Sequence, residues 1–222
     1  MIPAVIVVTG TDTDVGKTVA TAAIAACLQH AGRSVAAYKP TQTGVTGADP
    51  GDMDVVARLT GVPTSEGTRL IAPMAPRAAA AREAVALPDL EAHLAEVRRL
   101  TSAYDHVLVE GAGGLLVELT DGAQTLADLA VAVPHCGIVL VARSGLGTLN
   151  HVALTREALQ RRGIRSLGVI IGSWPTSPDE IEIDNRAYLQ DAPLLGVLPT
   201  GMPQLPPDAF KRAAVSALPF FA

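Results

Sequence analysis

The sequence has 222 residues, a formal net charge of −5, and 49% apolar residues. The acidic balance argues against a nucleic-acid binder, because such proteins usually carry a basic face. No run of 18 apolar residues occurs, and "MIPAVIVVTG" has no basic region before its apolar stretch, so neither a membrane partner nor a signal peptide is expected. Two scattered cysteines, Cys27 and Cys136, fit a reducing compartment, so we expect a cytoplasmic protein.

Apolar runs of strand length alternate with longer helical patterns along the whole chain. The apolar runs lie at 4–10, 34–40, 106–114, 136–143, 166–172 and 194–199. The helical patterns lie at 16–32, 88–103, 148–163 and 178–191, and the histidines in the first two, His30 and His93, are expected to face solvent. Continuous apolar runs are typical of strands buried on both faces. The alternation predicts a single α/β domain over residues 1–222, with a mostly parallel sheet flanked by helices on both faces.

The first strand leads into "TGTDTDVGKT", which resembles a phosphate-binding loop with one extra residue. The usual spacing is Gly, four residues, then Gly-Lys-Ser/Thr. Here five residues separate Gly10 from Gly16. In such a loop the backbone N–H groups and the helix N-terminus bind phosphate. Lys17 would reach the β- and γ-phosphates, and the hydroxyl of Thr18 would bind Mg²⁺.

The second strand ends at Lys39, in "YKPTQTG". The chain has 14 arginines and only 3 lysines, so a lysine in a motif suggests that the position needs a compact ammonium group. Ligands of parallel sheets bind at the carboxyl ends of the strands, where Lys39 could meet an anionic substrate or a transferring phosphoryl group. The alternative is a surface lysine whose aliphatic stem lies along the protein.

Two carboxylates are candidates for a magnesium site, since Mg²⁺ held by phosphates usually also takes one or two carboxylates. Glu110 ends the most apolar interior strand, directly before "GAGG", where a charge is costly unless a cation or donors meet it. Asp54 lies in "DPGDMDVV", at the start of a predicted helix. Helix capping explains Asp54 about as well, because Asp49, Asp52 and Asp54 all suit a cap. A structural ion pair is the alternative for Glu110.

Five stretches together resemble the dethiobiotin synthetases, the ATP-dependent carboxylases of biotin synthesis. They are "TGTDTDVGKTVA", "YKPTQTG", "DMDVVARL", "LVEGAGGLLV" and "LGTLNH", which occur in the family's order between residues 9 and 150. The form Gly-Thr-Asp-Thr-x-Val-Gly-Lys-Thr is similar to the family's loop and accounts for the extra residue. After residue 150 the match is mainly one of strand and helix layout, apart from "LLGVLP". The resemblance implies a P-loop NTPase fold with about seven strands.

The resemblance also implies roles for individual residues. The catalytic residues would be Lys39 and Lys17, and the metal ligands Thr18, Asp54 and Glu110. The nucleotide site would be formed by Asp14, Val15, Gly16, Lys17, Thr18, Val19, Glu110, Gly111, Ala112, Gly113, Gly172, Ser173, Pro199, Thr200 and Gly201. The substrate site would be formed by Thr13, Thr43, Gly147, Thr148, Leu149 and Asn150. The last four would come from the other subunit of a homodimer, because the family's substrate lies across the interface.

The implied reaction joins 7,8-diaminononanoate and CO₂, supplied as bicarbonate, at the expense of ATP or another nucleoside triphosphate, with Mg²⁺ as cofactor. It closes the ureido ring of dethiobiotin and releases ADP and phosphate. The chain departs from the family at Gly172-Ser173-Trp174, where members often place Asn-Asp after the fifth of these strands. The carboxamide that can recognise adenine is therefore missing, and the base preference is open.

Two other functions share this architecture. One is a partition- or positioning-type ATPase that acts as a switch, which usually needs a basic DNA patch or a terminal amphipathic helix. The net charge and the C-terminal "FKRAAVSALPFFA" support neither feature strongly. The other is an amidotransferase-type cofactor synthase, which would normally need a glutaminase domain for which 222 residues leave no room.

Overall fold

The chain, studied as a computed structural model, forms a seven-stranded sheet in which every pair of neighbouring strands is parallel. The structure describes residues 1–47, 49–190 and 193–222. The strands are β1 (Val5–Gly10), β2 (Val35–Gln42), β3 (Thr64–Arg69), β4 (His106–Gly114), β5 (Gly137–Ala142), β6 (Ser166–Trp174) and β7 (Leu194–Pro199). Their order across the sheet is β3-β2-β4-β1-β5-β6-β7. The predicted α/β fold is confirmed.

Helices cover both faces of the sheet. They are α1 (Lys17–His30), α2 (Asp52–Thr60), α3 (Pro76–Glu83), α4 (Leu90–Thr101), α5 (Leu126–Ala132), α6 (Thr148–Arg161), α7 (Glu180–Leu189) and α8 (Pro207–Ala217). Helices α1, α2 and α8 pack together on one face, where Ile6 and Val8 of β1 are buried. Val5 and Val7 lie in the core on the other face, with α4 and α5. This alternation explains why the strand is apolar at every position.

No helix in the described ranges is both long enough and apolar enough to cross a membrane. The helix predicted at 178–191 begins at Glu180 and ends at Leu189, and its last predicted residue, 191, lies outside the described residues.

The edge strand β3 has no counterpart among the apolar runs of the sequence. Its residues, "TSEGTR", are half-exposed or exposed, and the strand lies at the edge of the sheet. It pairs in parallel with β2, and this pairing places Glu66 beside Lys39 in the register. The count of about seven strands, which only the family resemblance implied, is confirmed.

His93 does not face solvent as predicted. Its side chain is 1% exposed, and Nδ1 lies 2.7 Å from the hydroxyl oxygen of Tyr38 on β2. Burial lowers the pKa of His93, which keeps the ring neutral in this contact. The prediction was wrong because His93, Val97 and Leu100 are spaced four and three residues apart, as on the buried stripe of a helix.

The phosphate-binding loop packs directly against the backbone of β6. Gly16 has a φ of 95°, and a Cβ added there would lie 2.6 Å from the carbonyl oxygen of Gly172. A Cβ added at Gly172 would lie 2.0 Å from the carbonyl oxygen of Val15. Both contacts are shorter than any real side chain tolerates, so this packing requires glycine at both positions. The carboxyl end of β6 therefore supports the loop with its backbone and offers no side chain at Gly172.

Candidate functional site

A cavity of about 620 Å³ opens at the carboxyl ends of β1, β2 and β4. It brings together ten residues predicted from the sequence, namely Thr13, Asp14, Gly16, Lys17, Thr18, Val19, Lys39, Thr43, Ala112 and Gly113. It is also lined by residues that sequence analysis did not select: Gln42, Gly44, Asp52, Pro73, Met74, Ala75, Pro76 and Val117. We call it the first cavity.

The turn into α1 positions the loop lysine at this cavity. Gly16 precedes the helix in a left-handed conformation that a residue with a side chain would adopt only under strain. Lys17 Nζ donates a hydrogen bond to the carbonyl oxygen of Asp12 at 2.9 Å. Burial lowers the pKa of Lys17, against the opposing effect of the nearby Glu110. A carbonyl oxygen carries only a partial negative charge, so the ammonium can still attract an anion in the cavity.

The carboxylate of Glu110 is buried beside Lys39 and Thr18. Glu110 is 0% exposed, and its Oε1 accepts hydrogen bonds from Lys39 Nζ at 2.8 Å and Thr18 Oγ1 at 3.0 Å. Its Oε2 is buried without a hydrogen-bond partner in the described part of the chain. Buried polar atoms nearly always have a partner, so this oxygen is in place for an additional donor or a cation.

Lys39 is itself 3% exposed and contacts a second carboxylate, with Nζ 2.5 Å from Asp52 Oδ2. Burial alone would lower the pKa of Lys39, but Glu110 and Asp52 outweigh it and the pKa is raised. For Asp52, burial would raise the pKa, but Lys39 outweighs burial and the pKa is lowered. Lys39 and Asp52 therefore stay charged together near neutral pH.

The structure places Asp52, and not Asp54, beside Thr18 and Glu110. The carboxylate of Asp54 accepts a hydrogen bond from the Gly51 N–H at 2.7 Å and pairs with Arg69 at 3.2 Å, so it caps α2 away from the cavity. The sequence held a signal for this difference. A carboxylate three positions after the N-cap can accept a hydrogen bond from the N-cap N–H, and Asp54 does so from Gly51, which leaves Asp52 available.

Thr18, Asp52 and Glu110 together present the oxygen donors of a hydroxyl and two carboxylates. Mg²⁺ prefers such ligands and completes its shell with water or phosphate oxygens. Glu110 Oε2 is the atom that most clearly fits a cation, because nothing in the described residues donates a hydrogen bond to it. The residues at this point are therefore suited to a magnesium ion.

A second cavity, of about 320 Å³, adjoins the other side of the phosphate-binding loop. Its lining includes four predicted nucleotide-site residues, Asp14, Val15, Ser173 and Thr200. The remaining lining residues, which sequence analysis did not select, are Arg143, Ser144, Pro175, Thr176 and Glu182. Asp14 lines both cavities, so the two adjoin the same residue of the loop.

Several predicted residues line neither cavity. Glu110 is fully buried below the first cavity, and Gly172 packs against the backbone of Val15 and Gly16. The other residues are Asp54, Gly111, Pro199, Gly201, Gly147, Thr148, Leu149 and Asn150. The last four form the start of α6, where Gly147 and Asn150 are exposed and the adjacent Leu146 is 81% exposed.

The chain is similar to curated proteins along nearly all of its length. A family model described as an AAA domain matches residues 4–206. The ATP-dependent dethiobiotin synthetase BioD of Mycobacterium avium is 47% identical over 215 residues, which cover 96% of this chain and 94% of that protein. The protein with the same name from Saccharopolyspora erythraea is 52% identical over 202 residues, covering 89% and 88%.

Solved structures share the fold at much lower identity. The septum site-determining protein MinD of Pyrococcus horikoshii, complexed with Mg-ADP, matches with a TM-score of 0.60 and 20% identity over 97% of this chain and 96% of that one. The cell division ATPase MinD of Pyrococcus furiosus gives a TM-score of 0.56 at 18% identity, covering 96% and 97%. These likenesses confirm the architecture of a P-loop NTPase.

The ion pairs of Lys39 generate a prediction about stability. Lys39→Met leaves Glu110 and Asp52 without their cation and should lower the free energy of unfolding of the ligand-free protein by about 3 kcal/mol or more. Adding Glu110→Gln should restore part of the loss, because the uncompensated buried charge is then removed. Both are measured by denaturant unfolding. Lys211→Met, on α8, is the control and should change stability by less than about 0.5 kcal/mol. Equal losses in the two lysine variants would contradict the prediction.

Proposed function

The chain belongs to the dethiobiotin synthetase family of ATP-dependent ligases, and we propose that it closes the ureido ring of dethiobiotin from 7,8-diaminononanoate and CO₂. ATP would be converted to ADP and phosphate. The observation that carries the proposal is the second buried lysine, Lys39, in the same cavity as the loop lysine Lys17. A site that must hold two anions needs more positive charge than a phosphate-binding loop alone provides.

The chemistry requires two anions to meet. One amine of the substrate captures CO₂ as a carbamate, and a carbamate oxygen attacks the γ-phosphorus with departure of ADP. The second amine then attacks the carbamate carbon of the mixed anhydride, which closes the cyclic urea and expels phosphate. Lys17 and Lys39 would offset the repulsion between carbamate and triphosphate and stabilise the charge during in-line transfer. No side-chain nucleophile is needed.

The remaining residues of the first cavity would position these groups. The loop from Asp14 to Val19 would hold the triphosphate through its backbone N–H groups at the start of α1. The backbone from Gly111 to Gly113 would pass close to the phosphates. Thr13 and Thr43 would place hydroxyls against the diaminononanoate. Ser173 and the segment from Pro199 to Gly201 would lie near the base.

We infer that Thr18, Asp52 and Glu110 hold Mg²⁺, with Asp52 in the role that the sequence suggested for Asp54. When bound, the ion would neutralise the phosphate oxygens during transfer. The support for Asp52 is its position beside Lys39 at the first cavity, whereas the carboxylate of Asp54 is 57% exposed and paired with Arg69.

A positioning-type ATPase is the alternative that the fold itself suggests, because MinD proteins share the architecture. That likeness rests on 18 to 20% identity and concerns the fold alone. The relatives at 47 and 52% identity are both named dethiobiotin synthetases. The alternative is therefore not favoured.

We further propose a homodimer in which residues 147–150 of one subunit bind the substrate carboxylate in the other. Gly147 and Asn150 line neither cavity of their own chain, and the N-terminus of α6 offers backbone N–H groups suited to a carboxylate. Two large apolar side chains flank this segment: Leu146 is 81% exposed and Leu154 is 57% exposed. Apolar groups exposed beside a binding segment fit a surface that a second copy covers.

The reaction is tested with the purified protein, MgATP, diaminononanoate and bicarbonate. Phosphate release should require both diaminononanoate and bicarbonate. The product should contain a cyclic urea detectable by mass spectrometry. Hydrolysis that proceeds without them and is stimulated by DNA or lipid would instead support the switch ATPase.

Asp52 and Asp54 can be separated by the magnesium dependence of turnover. Asp52→Asn should raise the Mg²⁺ concentration for half-maximal turnover by about 10-fold or more, because a charged ligand is lost. Asp54→Asn, two residues along the same helix, is the matched control and should alter thermal stability while leaving the Mg²⁺ dependence unchanged. If only Asp54→Asn raised the Mg²⁺ concentration for half-maximal turnover, Asp54 and not Asp52 would be the metal ligand.

The proposed dimer is tested by a substitution that places a charged side chain on the exposed surface of α6. Leu154→Glu should convert the protein from a dimer to a monomer in sedimentation analysis and should greatly reduce turnover, because each site loses the partner's helix start. Ile181→Glu, at an exposed apolar position on α7, serves as the control and should remain dimeric and active. A fully active monomer would rule out a site shared between subunits.

A further inference from the structure

The second cavity contains one glutamate, Glu182, that sequence analysis did not select. It lies in the first turn of α7 and is half-buried. The cavity adjoins Ser173 and Thr200, at the carboxyl ends of β6 and β7, and shares Asp14 with the first cavity. Lys17 and Thr18 line only the first cavity. A triphosphate held by these two residues would therefore place its base on the far side of the loop, in the second cavity.

The carboxylate of Glu182 is held in place by neighbouring groups. Ser144 Oγ donates a hydrogen bond to Oε1 at 2.6 Å, and the Asp179 N–H donates to Oε2 at 3.0 Å. The same helix is tied to this loop by Asn185, whose Nδ2 donates to the carbonyl oxygen of Ser144 at 2.8 Å. Each carboxylate oxygen can accept a second hydrogen bond. Glu182 is thus a fixed acceptor with unused capacity facing the cavity.

Two positions near Glu182 offer a base less. Gly172 does not line the second cavity and has no side chain, and a Cβ there would meet the Val15 carbonyl oxygen at 2.0 Å. Arg143 is paired with the carboxylate of Asp12. The hydrogen-bond partners of Glu182 are neutral donors, which leaves its full negative charge to attract an N–H group of a ligand.

We propose that Glu182 accepts a hydrogen bond from the exocyclic amino group of the nucleotide base. The proposal rests on the proposed function, which supplies ATP as the co-substrate. Adenine has one donor on its pairing edge, the 6-amino group, and a carboxylate acceptor complements it. Glu182 is a specificity-determining residue in this assignment and takes no part in phosphoryl transfer.

The test compares ATP with purine riboside triphosphate, which lacks only the 6-amino group. In the diaminononanoate-dependent assay the unaltered protein should favour ATP by about 10- to 100-fold in kcat/KM, the range for a hydrogen bond to a charged group. Glu182→Ala should reduce this preference to about threefold or less, since the amino group then has no charged acceptor. Glu180→Ala, an exposed glutamate in the same helical turn, is the control and should keep the full preference.

The ratio of kcat/KM for the two triphosphates distinguishes recognition of the amino group from a general loss of structure at α7. Loss of the cap on α7 would lower kcat/KM for both triphosphates equally and leave their ratio unchanged. Glu182→Gln, which keeps the size of the side chain, provides a second variant and should also lower the preference for ATP. The role of Glu182 would be overturned, and the proposed function left standing, by either of two results. One is an unchanged ratio of kcat/KM for ATP to that for purine riboside triphosphate in both variants. The other is equal use of the two triphosphates by the unaltered protein. If neither triphosphate supports turnover, both the proposed function and this assignment fail.

Discussion

The site depends on one constraint, the burial of a negative charge at the end of the central strand β4. Glu110 has no access to water, so a negative charge there is costly unless a cation and hydrogen-bond donors meet it. Lys39 from β2 and Thr18 from α1 supply them, and Asp52 at the start of α2 shares the lysine. Four elements of the fold thus converge on one carboxylate. The first cavity has its shape because the ends of these elements are fixed by the same ion pairs.

The sequence revealed those parts of the site whose chemistry is local. The glycine-rich turn, the lysine that follows it and the carboxylate at the end of an apolar strand are each unusual in their immediate surroundings. Asp52 was missed because the choice between two aspartates on one helical turn depends on which of them caps the helix. Edge strand β3 was missed because its residues are polar. The burial of His93 was missed although Val97 and Leu100 mark the same helical stripe.

The second cavity shows what no single segment of sequence could reveal. The family resemblance leads one to expect a carboxamide where Gly172 stands, so the sequence alone suggests that base recognition is lost there. The structure gives a packing reason for the glycine, since the backbone of the phosphate-binding loop occupies the space of a side chain. Polar groups reach the second cavity from several elements, among them the loop after β5, which carries Ser144, and α7, which carries Glu182.

The charges of the first cavity also give a reason why the proposed function would need a divalent cation. The two lysines, Lys17 and Lys39, are balanced by two carboxylates, Glu110 and Asp52, so these four groups together have no net charge. Such a balance stabilises the ligand-free protein, but it offers little attraction for a triphosphate and a carbamate. A cation bound by the carboxylates would leave the charge of both lysines available to the anions. The same ion pairs that permit a buried charge would therefore make catalysis depend on magnesium.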